Sequence, residues 1–488
     1  MPADCPPPSR IVMTTHGKVQ GRRLVHAGDR QVDAFQGIPF AAPPIGELRF
    51  KKPQPPAPWA GVRETKKFAP RCIQVPFPGL LEDELHGEMS EDCLYLNVFT
   101  PCWEAPEEGF PVMVFIHGGA FVFGEASSYG DIGICENIAS RGIVFVTIQY
   151  RLGYLGFLST ECGQRKCGSA ASQSAFDNSK VDTVVHFTLY LVDRAGERVC
   201  NMKRRWYHIS SSTSDLFHKA ICMAGTAECR SATRSCSSMA AQSIRKAACL
   251  GVTEFANTQE LLDKLRQIPA EKFAVSLFEA PTRGDRIDFG ANFIIKETCP
   301  CLDGDFLPES LDALRAKATP KPLLNGVTKE EGLFLMPGRR STLEGLQETL
   351  QYVTLDCTKQ DAMKKELCSC FVGDAKPEDP ACIRAQAGMV ADSIFVAGHL
   401  ELCRKTVAIQ TEPIYLYVFE HFTGPSILGA FNPNGWDDSV NDLSVPWKPI
   451  TKENPALNYV FTSNEPMMSN DLFEGRTAAF IEIHRRHK

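Results

Sequence analysis

Short runs of apolar residues, bounded by glycine or polar residues, place the strongest limit on how this chain can fold. They are rich in β-branched and aromatic side chains, a composition typical of strands buried on both faces of a sheet. The runs lie at 112–116, 143–148, 220–224 and 414–419. Helical stretches such as 240–248 and 259–266 separate them. This alternation predicts an α/β fold with a mostly parallel sheet, whose ligand sites lie at the carboxyl ends of strands.

The organisation of the chain predicts a single domain over residues 1–488 with a proline-rich N-terminal tail at 1–10, because no repeat and no low-complexity linker is visible. The net charge of −6 argues against nucleic acid as a partner. No apolar run approaches the roughly 20 residues of a membrane span, and there is no signal-peptide pattern. Asn-x-Ser/Thr, the glycosylation acceptor, is also absent. We therefore expect a cytoplasmic protein without a membrane span.

The chain contains 19 cysteines, an odd number. No Cys-x-x-Cys spacing occurs, and the pairs Cys299/Cys301 and Cys368/Cys370 have no histidine nearby. This pattern predicts no zinc site, and the sequence suggests no other metal and no cofactor. Most of the thiols are expected to be small buried apolar groups.

Eight motifs occur in one order along most of the chain and resemble those of the type-B carboxylesterase and cholinesterase family. The first extends over 35–50 and begins Phe-Gln-Gly-Ile-Pro-Phe-Ala-Ala-Pro-Pro. The next three are Glu-Asp-Cys-Leu-Tyr-Leu-Asn-Val-Phe at 91–99, Phe-Ile-His-Gly-Gly-Ala-Phe at 115–121 and Tyr-Arg-Leu-Gly-Tyr-Leu-Gly-Phe at 150–157. Shorter matches follow at 215–221, 303–308, 326–332 and 415–419.

The resemblance implies an α/β-hydrolase fold, with a large mixed sheet flanked by helices, and the hydrolysis of carboxylic esters. It also matches Cys72 and Cys93 to the first disulfide loop of the family. In a reducing cytosol these two residues could equally remain thiols.

The resemblance also assigns part of a catalytic site. Gly118 and Gly119 follow a predicted strand and correspond to the oxyanion-hole residues, whose backbone N–H groups stabilise the negative charge of a tetrahedral intermediate. Glu331 occupies the position of the acid that orients the catalytic histidine, whereas its neighbour Glu330 does not. A glutamate without that histidine would be an ordinary carboxylate.

The nucleophilic serine of the family is missing. A nucleophile elbow requires Gly-x-Ser-x-Gly, and this pentapeptide occurs nowhere in the chain. Residues 161–215 have about the length that the family places there but do not resemble it, and the stretch around Arg194 lies where the elbow should be. A shifted reading frame or a misassigned exon would produce this pattern. The segment keeps the length of the family but not its sequence, and the family motifs return abruptly after it.

The catalytic histidine is missing as well, because Lys452 or Glu453 stands at its place in the loop before 457–461. Neither side chain can shuttle a proton near neutral pH unless its pKa is strongly shifted. The other late histidines are expected to have no catalytic role. They are His399, His421, His484 and His487.

Three hypotheses remain open. In the first, the chain is a non-catalytic pseudoesterase that binds a small-molecule ester, an apolar ligand or a protein partner. In the second, it is an active serine carboxylesterase whose residues 161–215 are misread. In the third, it is a degraded gene product that does not fold stably, because the elbow strand and helix are central to the sheet.

Overall fold

A computed structural model describes the parts of the chain from which the fold can be built. These parts are residues 6–25, 30–75, 88–160, 217–230, 232–275, 298–302, 307–329, 331–332, 342–354, 357–420, 447–461 and 467–488, together with the backbone of 189–193. Apart from 189–193, the segment 161–215 lies outside the described residues.

The chain divides into two compact units, where the sequence predicts one domain. The first unit comprises Met1–Ala220, Thr233–Leu277 and Glu297–Thr319, and the second comprises Ile221–Ala232, Phe278–Lys296 and Pro320–Lys488. Because the chain enters each unit more than once, no single linker marks the division, and sequence composition does not reveal it.

The strands of the described residues extend from the N-terminal region to the last fifth of the chain. In chain order they are β1 (Pro8–Thr14), β2 (Gly17–Val25), β3 (Gln31–Pro39), β4 (Val62–Glu64), β5 (Arg71–Cys72), β6 (Met89–Ser90), β7 (Tyr95–Pro101), β8 (Val112–Ile116), β9 (Val144–Ile148), β10 (Leu189–Asp193), β11 (Lys219–Met223), β12 (Arg234–Ser235), β13 (Cys301–Leu302), β14 (Leu323–Thr328), β15 (Ile414–Phe419), β16 (Asn458–Phe461) and β17 (Met467–Ser469). Strand β1 begins inside the predicted tail, so an extended and paired segment already starts at Pro8.

The α-helices of the described residues lie mostly in the second half of the chain. In chain order they are α1 (Ile132–Asn137), α2 (Gly153–Phe157), α3 (Cys236–Cys249), α4 (Thr258–Arg266), α5 (Leu311–Lys317), α6 (Leu343–Val353), α7 (Gln360–Leu367), α8 (Pro380–Ala391), α9 (Ala397–Val407) and α10 (Arg476–His487). Short 3-10 turns occupy Gly46–Leu48, Ala139–Arg141 and Ala270–Phe273, and π-helical turns occupy Cys368–Val372 and Asp392–Val396. No helix of the described ranges is long and apolar enough to cross a membrane.

In the first unit, the N-terminal strands form an antiparallel meander that continues into the predicted apolar strands. The pairing order is β1-β2-β3-β7-β9-β8-β10, and only β8 and β9 of this series run parallel. Phe115 and Phe145 pack on each other beside Phe99, because these strands bring their apolar side chains to one face. This packing fixes the end of β8, where the predicted oxyanion loop begins.

In the second unit, β14, β15 and β16 run parallel, and β17 is antiparallel to β16. Helices α8 and α9 are joined through the π-helical turn Asp392–Val396, whose side chains are buried. Arg476 and Thr477 both donate hydrogen bonds to the buried Asp392 carboxylate, which stabilises the turn.

The predicted α/β class, with a large mixed sheet flanked by helices, is confirmed. Strands β8 and β15 have the predicted bounds, and β9, β11, α3 and α4 overlap their predicted ranges.

Candidate functional site

The predicted oxyanion loop lies at the carboxyl end of two parallel strands. Ile116, the last residue of β8, is paired with Ile148, the last residue of β9. The residues that follow each strand therefore lie at the same edge of the sheet. As a result His117, after β8, stacks on Tyr150, after β9, with ring centroids 4.4 Å apart.

Three successive carbonyl groups of this loop are each held by a donor. The Tyr150 hydroxyl donates to His117 O at 3.0 Å. The His117 ring nitrogen Nδ1 lies 2.8 Å from Gly118 O, and since a carbonyl only accepts, Nδ1 carries the proton. Gly119 O accepts from the N–H groups of Val122 and Phe123, both at 3.0 Å.

These contacts also orient the N–H groups of the loop. In a trans peptide the C=O of one residue and the N–H of the next point in opposite directions, so the N–H groups of Gly118, Gly119 and Ala120 point away from the three donors. No acceptor in the described part of the chain receives the N–H of Gly118 or of Gly119. Backbone N–H groups held in a fixed orientation without an acceptor are an arrangement that suits an oxygen atom with negative charge.

Glycine is required at two positions of the loop. Gly119 has φ +117°, and a Cβ there would lie 1.9 Å from Phe123 O. Gly124 has φ +107°, and a Cβ there would lie 2.4 Å from Gly118 O. Any larger residue at either position would therefore displace the loop.

The loop is further attached to a disulfide. Gln74 accepts the N–H of Gly124 at 2.8 Å and donates to Gly124 O at 3.0 Å and to Cys72 O at 3.1 Å. Cys72 is bonded to Cys93 in the structure. Sequence reasoning did not identify Gln74 or Tyr150 as residues of the site. Tyr150 begins one of the recognised motifs, but its role follows only from the parallel pairing of β8 and β9.

His117 cannot serve as the missing proton acceptor. The residue is fully buried, and burial lowers the pKa of its imidazole to about 4. At pH 7 the ring is therefore neutral, with its proton on Nδ1, the atom that donates to Gly118 O. His117 therefore holds the loop in place.

Glu331 lies just after β14 in the second unit. Its side chain is 7% exposed, and Oε1 accepts the N–H of Thr328 at 2.8 Å. Burial raises the pKa of the Glu331 carboxyl to about 7, an effect that the Thr328 hydrogen bond partly offsets. A buried carboxyl group at the carboxyl end of a parallel strand suits an orienting acid, but no histidine contact to it is seen among the described residues.

The candidates for a replacement base are poorly suited to that role. Lys452 and Glu453 are both exposed, and hydrogen bonds lower the pKa of Glu453. His399 lies in α9, fully buried against Asn325, and burial lowers its pKa to about 3. His484 and His487 belong to α10, while His421 and Glu330 lie outside the described residues.

The strand that precedes the expected elbow runs in the wrong direction. Strand β10 pairs antiparallel with β8, with Leu189 opposite Ile116 and Asp193 opposite Val112. Strand β10 therefore ends at the edge where β8 begins. Four residues of strand, roughly 13 Å, separate that end from the oxyanion loop.

No group of three or more metal-ligating side chains occurs in the described ranges.

Comparison with known proteins finds a family match over most of the chain. The model of the Carboxylesterase family matches residues 8–168 and 205–477. A medium-chain fatty acyl-CoA hydrolase precursor from Anas platyrhynchos is 31% identical over 84% of this chain and 74% of its own length. An acylcarnitine hydrolase from Mus musculus is 31% identical over 86% of this chain and 74% of its own. For a cocaine esterase from Homo sapiens the identity is 31%, over 95% of this chain and 82% of that protein.

Proposed function

Because the chain belongs to the carboxylesterase family, we propose that it is a non-catalytic member, a pseudoesterase that binds ester-like ligands without hydrolysing them. Its lineage is that of the carboxylic ester hydrolases.

The observation that carries the proposal is an organised oxyanion loop without a nucleophile. The N–H groups of Gly118 and Gly119 are oriented by the held carbonyls of His117 and Gly118, yet Gly-x-Ser-x-Gly occurs nowhere in the 488 residues. The direction of β10 gives independent support, because its last residue, Asp193, is paired with Val112, at the edge where β8 begins. Without a nucleophile, only the assistance of the oxyanion hole remains.

The base is lost separately. Acyl transfer needs a group that takes the proton of the nucleophile near neutral pH, and Lys452 and Glu453 are exposed side chains at the expected place. Two losses at distant positions of the chain favour a protein that no longer catalyses hydrolysis over a single error in the sequence.

The ligand that fits the loop is a small molecule with a carbonyl or carboxylate oxygen next to an apolar group. Backbone N–H donors recognise that oxygen whether or not a nucleophile is present. The three relatives are named for the hydrolysis of acyl-CoA, acylcarnitine and cocaine, which supports an acyl compound as the ligand class. A protein partner remains a second kind of ligand for a pseudoenzyme.

The test combines turnover, labelling and binding on the purified chain. With 4-nitrophenyl butyrate we expect no burst, and with a fluorophosphonate we expect no stoichiometric adduct in the intact mass. Saturation-transfer NMR with phenyl butyrate should show binding. The change Gly119→Ala should weaken this binding about tenfold or more, because the loop is displaced.

Gly61→Ala is the matched control, because Gly61 also has a positive φ, +72°, but a Cβ there meets nothing within 4 Å. It should leave binding unchanged. A burst or a stoichiometric adduct would contradict the loss of catalysis, whereas absence of phenyl butyrate binding would contradict the ligand-binding role.

A second candidate function is an active serine carboxylesterase. The family match stops at residue 168 and resumes at 205, which favours a misread segment within 161–215. Sequencing the transcript through codons 161–215 tests it, and a restored Gly-x-Ser-x-Gly would make this function the preferred one.

The cytoplasmic location stays a prediction, which fractionation of cells that express the tagged chain would test.

A further inference from the structure

Two cysteines of the first unit that are distant in sequence lie in contact. Cys236 Sγ is 3.2 Å from Cys301 Sγ and 3.0 Å from Leu302 O. The two residues are 65 positions apart in the chain. Neither takes part in the oxyanion loop or in the disulfide that supports it.

The local fold fixes this contact. Strand β12 pairs parallel with β13, with Arg234 opposite Cys301 and Ser235 opposite Leu302. Cys236 follows β12 directly and is the first residue of α3, whose N-cap is Ser235. Cys236 therefore lies between β12, which precedes it, and α3, which begins with it. Both elements hold its thiol next to β13.

We propose that Cys236 and Cys301 are a site of reversible oxidation, at which a hydroperoxide converts the two thiols into a disulfide. The sulfur atoms must approach by about 1.2 Å, from 3.2 Å to the disulfide bond length of about 2.05 Å. The bond would join the first turn of α3 to β13. The proposal does not depend on the proposed function, since none of its residues belongs to the oxyanion loop.

The chemistry proceeds in two balanced steps. The Cys236 thiolate attacks one peroxide oxygen, which forms a sulfenic acid and releases water when the oxidant is hydrogen peroxide. The Cys301 thiolate then attacks the sulfenic sulfur, which forms the S–S bond and releases a second water. Overall, two thiols are oxidised, one peroxide is reduced and two waters are formed.

Exposure assigns the order of these steps. Cys236 is half-buried, whereas Cys301 is only 4% exposed. A peroxide therefore meets Cys236 first. Cys299, two residues from Cys301, does not compete, because its Sγ faces Met239 Sδ at 3.9 Å and burial raises the pKa of its thiol to about 12.

The test uses the full chain treated with hydrogen peroxide, alkylated with iodoacetamide and digested with trypsin. Cleavage after Arg234 and Arg245 isolates Cys236 in peptide 235–245, and peptide 297–315 contains Cys301. We expect a cross-linked pair whose mass is the sum of the two peptides less two hydrogen atoms, plus one carbamidomethyl group on Cys299. Fragmentation should place the bond on Cys301, and dithiothreitol should release both peptides.

Matched variants separate the proposal from general oxidation. Cys236→Ser and Cys301→Ser should each abolish the cross-link. Cys249→Ser, at the exposed opposite end of α3, should leave it. Unfolding in urea before oxidation should reduce the yield severalfold, because the contact is lost. Three outcomes would overturn the proposal. They are a cross-link through Cys299 or Cys249, oxidation of Cys236 to a sulfinic acid without a cross-link, and survival of both thiols.

Discussion

Glu331, the residue that the sequence predicts as the orienting acid, contacts no histidine among the described residues. Its carboxyl is buried and accepts one backbone N–H, from Thr328. A carboxyl whose folded pKa is about 7 binds a proton more tightly in the folded chain than in the unfolded chain. The stability that this proton provides is present below about pH 4.5 and is lost as the pH rises to about 7.

Glu331→Gln should therefore stabilise the protein at neutral pH. Glutamine resembles the protonated acid, keeps an acceptor for the Thr328 N–H and cannot ionise. The difference in free energy of unfolding between variant and parent should grow from pH 5 to pH 7.5 and reach on the order of 3 kcal/mol. Urea unfolding at a series of pH values measures it.

The exposed Glu344→Gln serves as the comparison for this prediction, because it makes the same chemical change at a side chain that is not buried. His117 and His399 also titrate, since burial lowers their pKa values to about 4 and about 3. Their contribution is lost as the pH falls below about 6.5, but it is common to both proteins and cancels in the difference. A variant less stable than the parent at pH 7.5 would show that the Glu331 carboxylate is paired in the folded chain.

At the scale of elements, the sequence predicted best the strands that are apolar throughout. Residues 112–116 and 414–419 are buried strands with the predicted bounds, because a continuous apolar run has few other stable places. The antiparallel meander β1-β2-β3 was not predicted, since polar residues alternate through it and β1 starts within a proline-rich stretch. Pairing between strands distant in sequence could not be predicted either. The sequence therefore predicted neither the contact of Tyr150 with His117 nor the contact of Cys236 with Cys301.

The antiparallel direction of β10 predicts that a nucleophile elbow introduced after this strand would not restore a reactive serine. The triple change Arg194→Gly, Gly196→Ser and Arg198→Gly writes Gly-Ala-Ser-Glu-Gly directly after β10. We expect no fluorophosphonate adduct above the level of the parent chain, because β10 ends roughly 13 Å of strand away from the oxyanion loop. The control is a variant with only Arg194→Gly and Arg198→Gly, which carries the same glycines without the serine. A stoichiometric adduct that forms only with the serine would mean that β10 does not run antiparallel to β8.

At the scale of the whole molecule, the chain belongs to the carboxylesterase family, and we propose that it does not catalyse ester hydrolysis. The family model matches residues 8–168 and 205–477, and the elements on both sides of the unmatched residues form closely packed units. Tyr150 stacks on His117 in the first unit, and in the second unit Trp447 lies 5.1 Å from Tyr459 between ring centroids. A degraded gene product would lack such fixed aromatic packing, so its presence or absence in solution separates the pseudoesterase from the unstable chain.

We therefore expect the purified chain to give a near-UV circular dichroism signal that is lost cooperatively in urea, together with the far-UV signal. Fixed aromatic side chains produce the near-UV bands, whereas a state with helices and strands but no fixed packing retains only the far-UV signal. Trp447→Phe should remove part of the near-UV signal, because Trp447 packs among Tyr415, Tyr417, Tyr459 and Phe461. A chain with far-UV structure but no near-UV signal would favour the degraded product, since replacement of the elbow strand and helix would then have cost more than a marginally stable fold can lose.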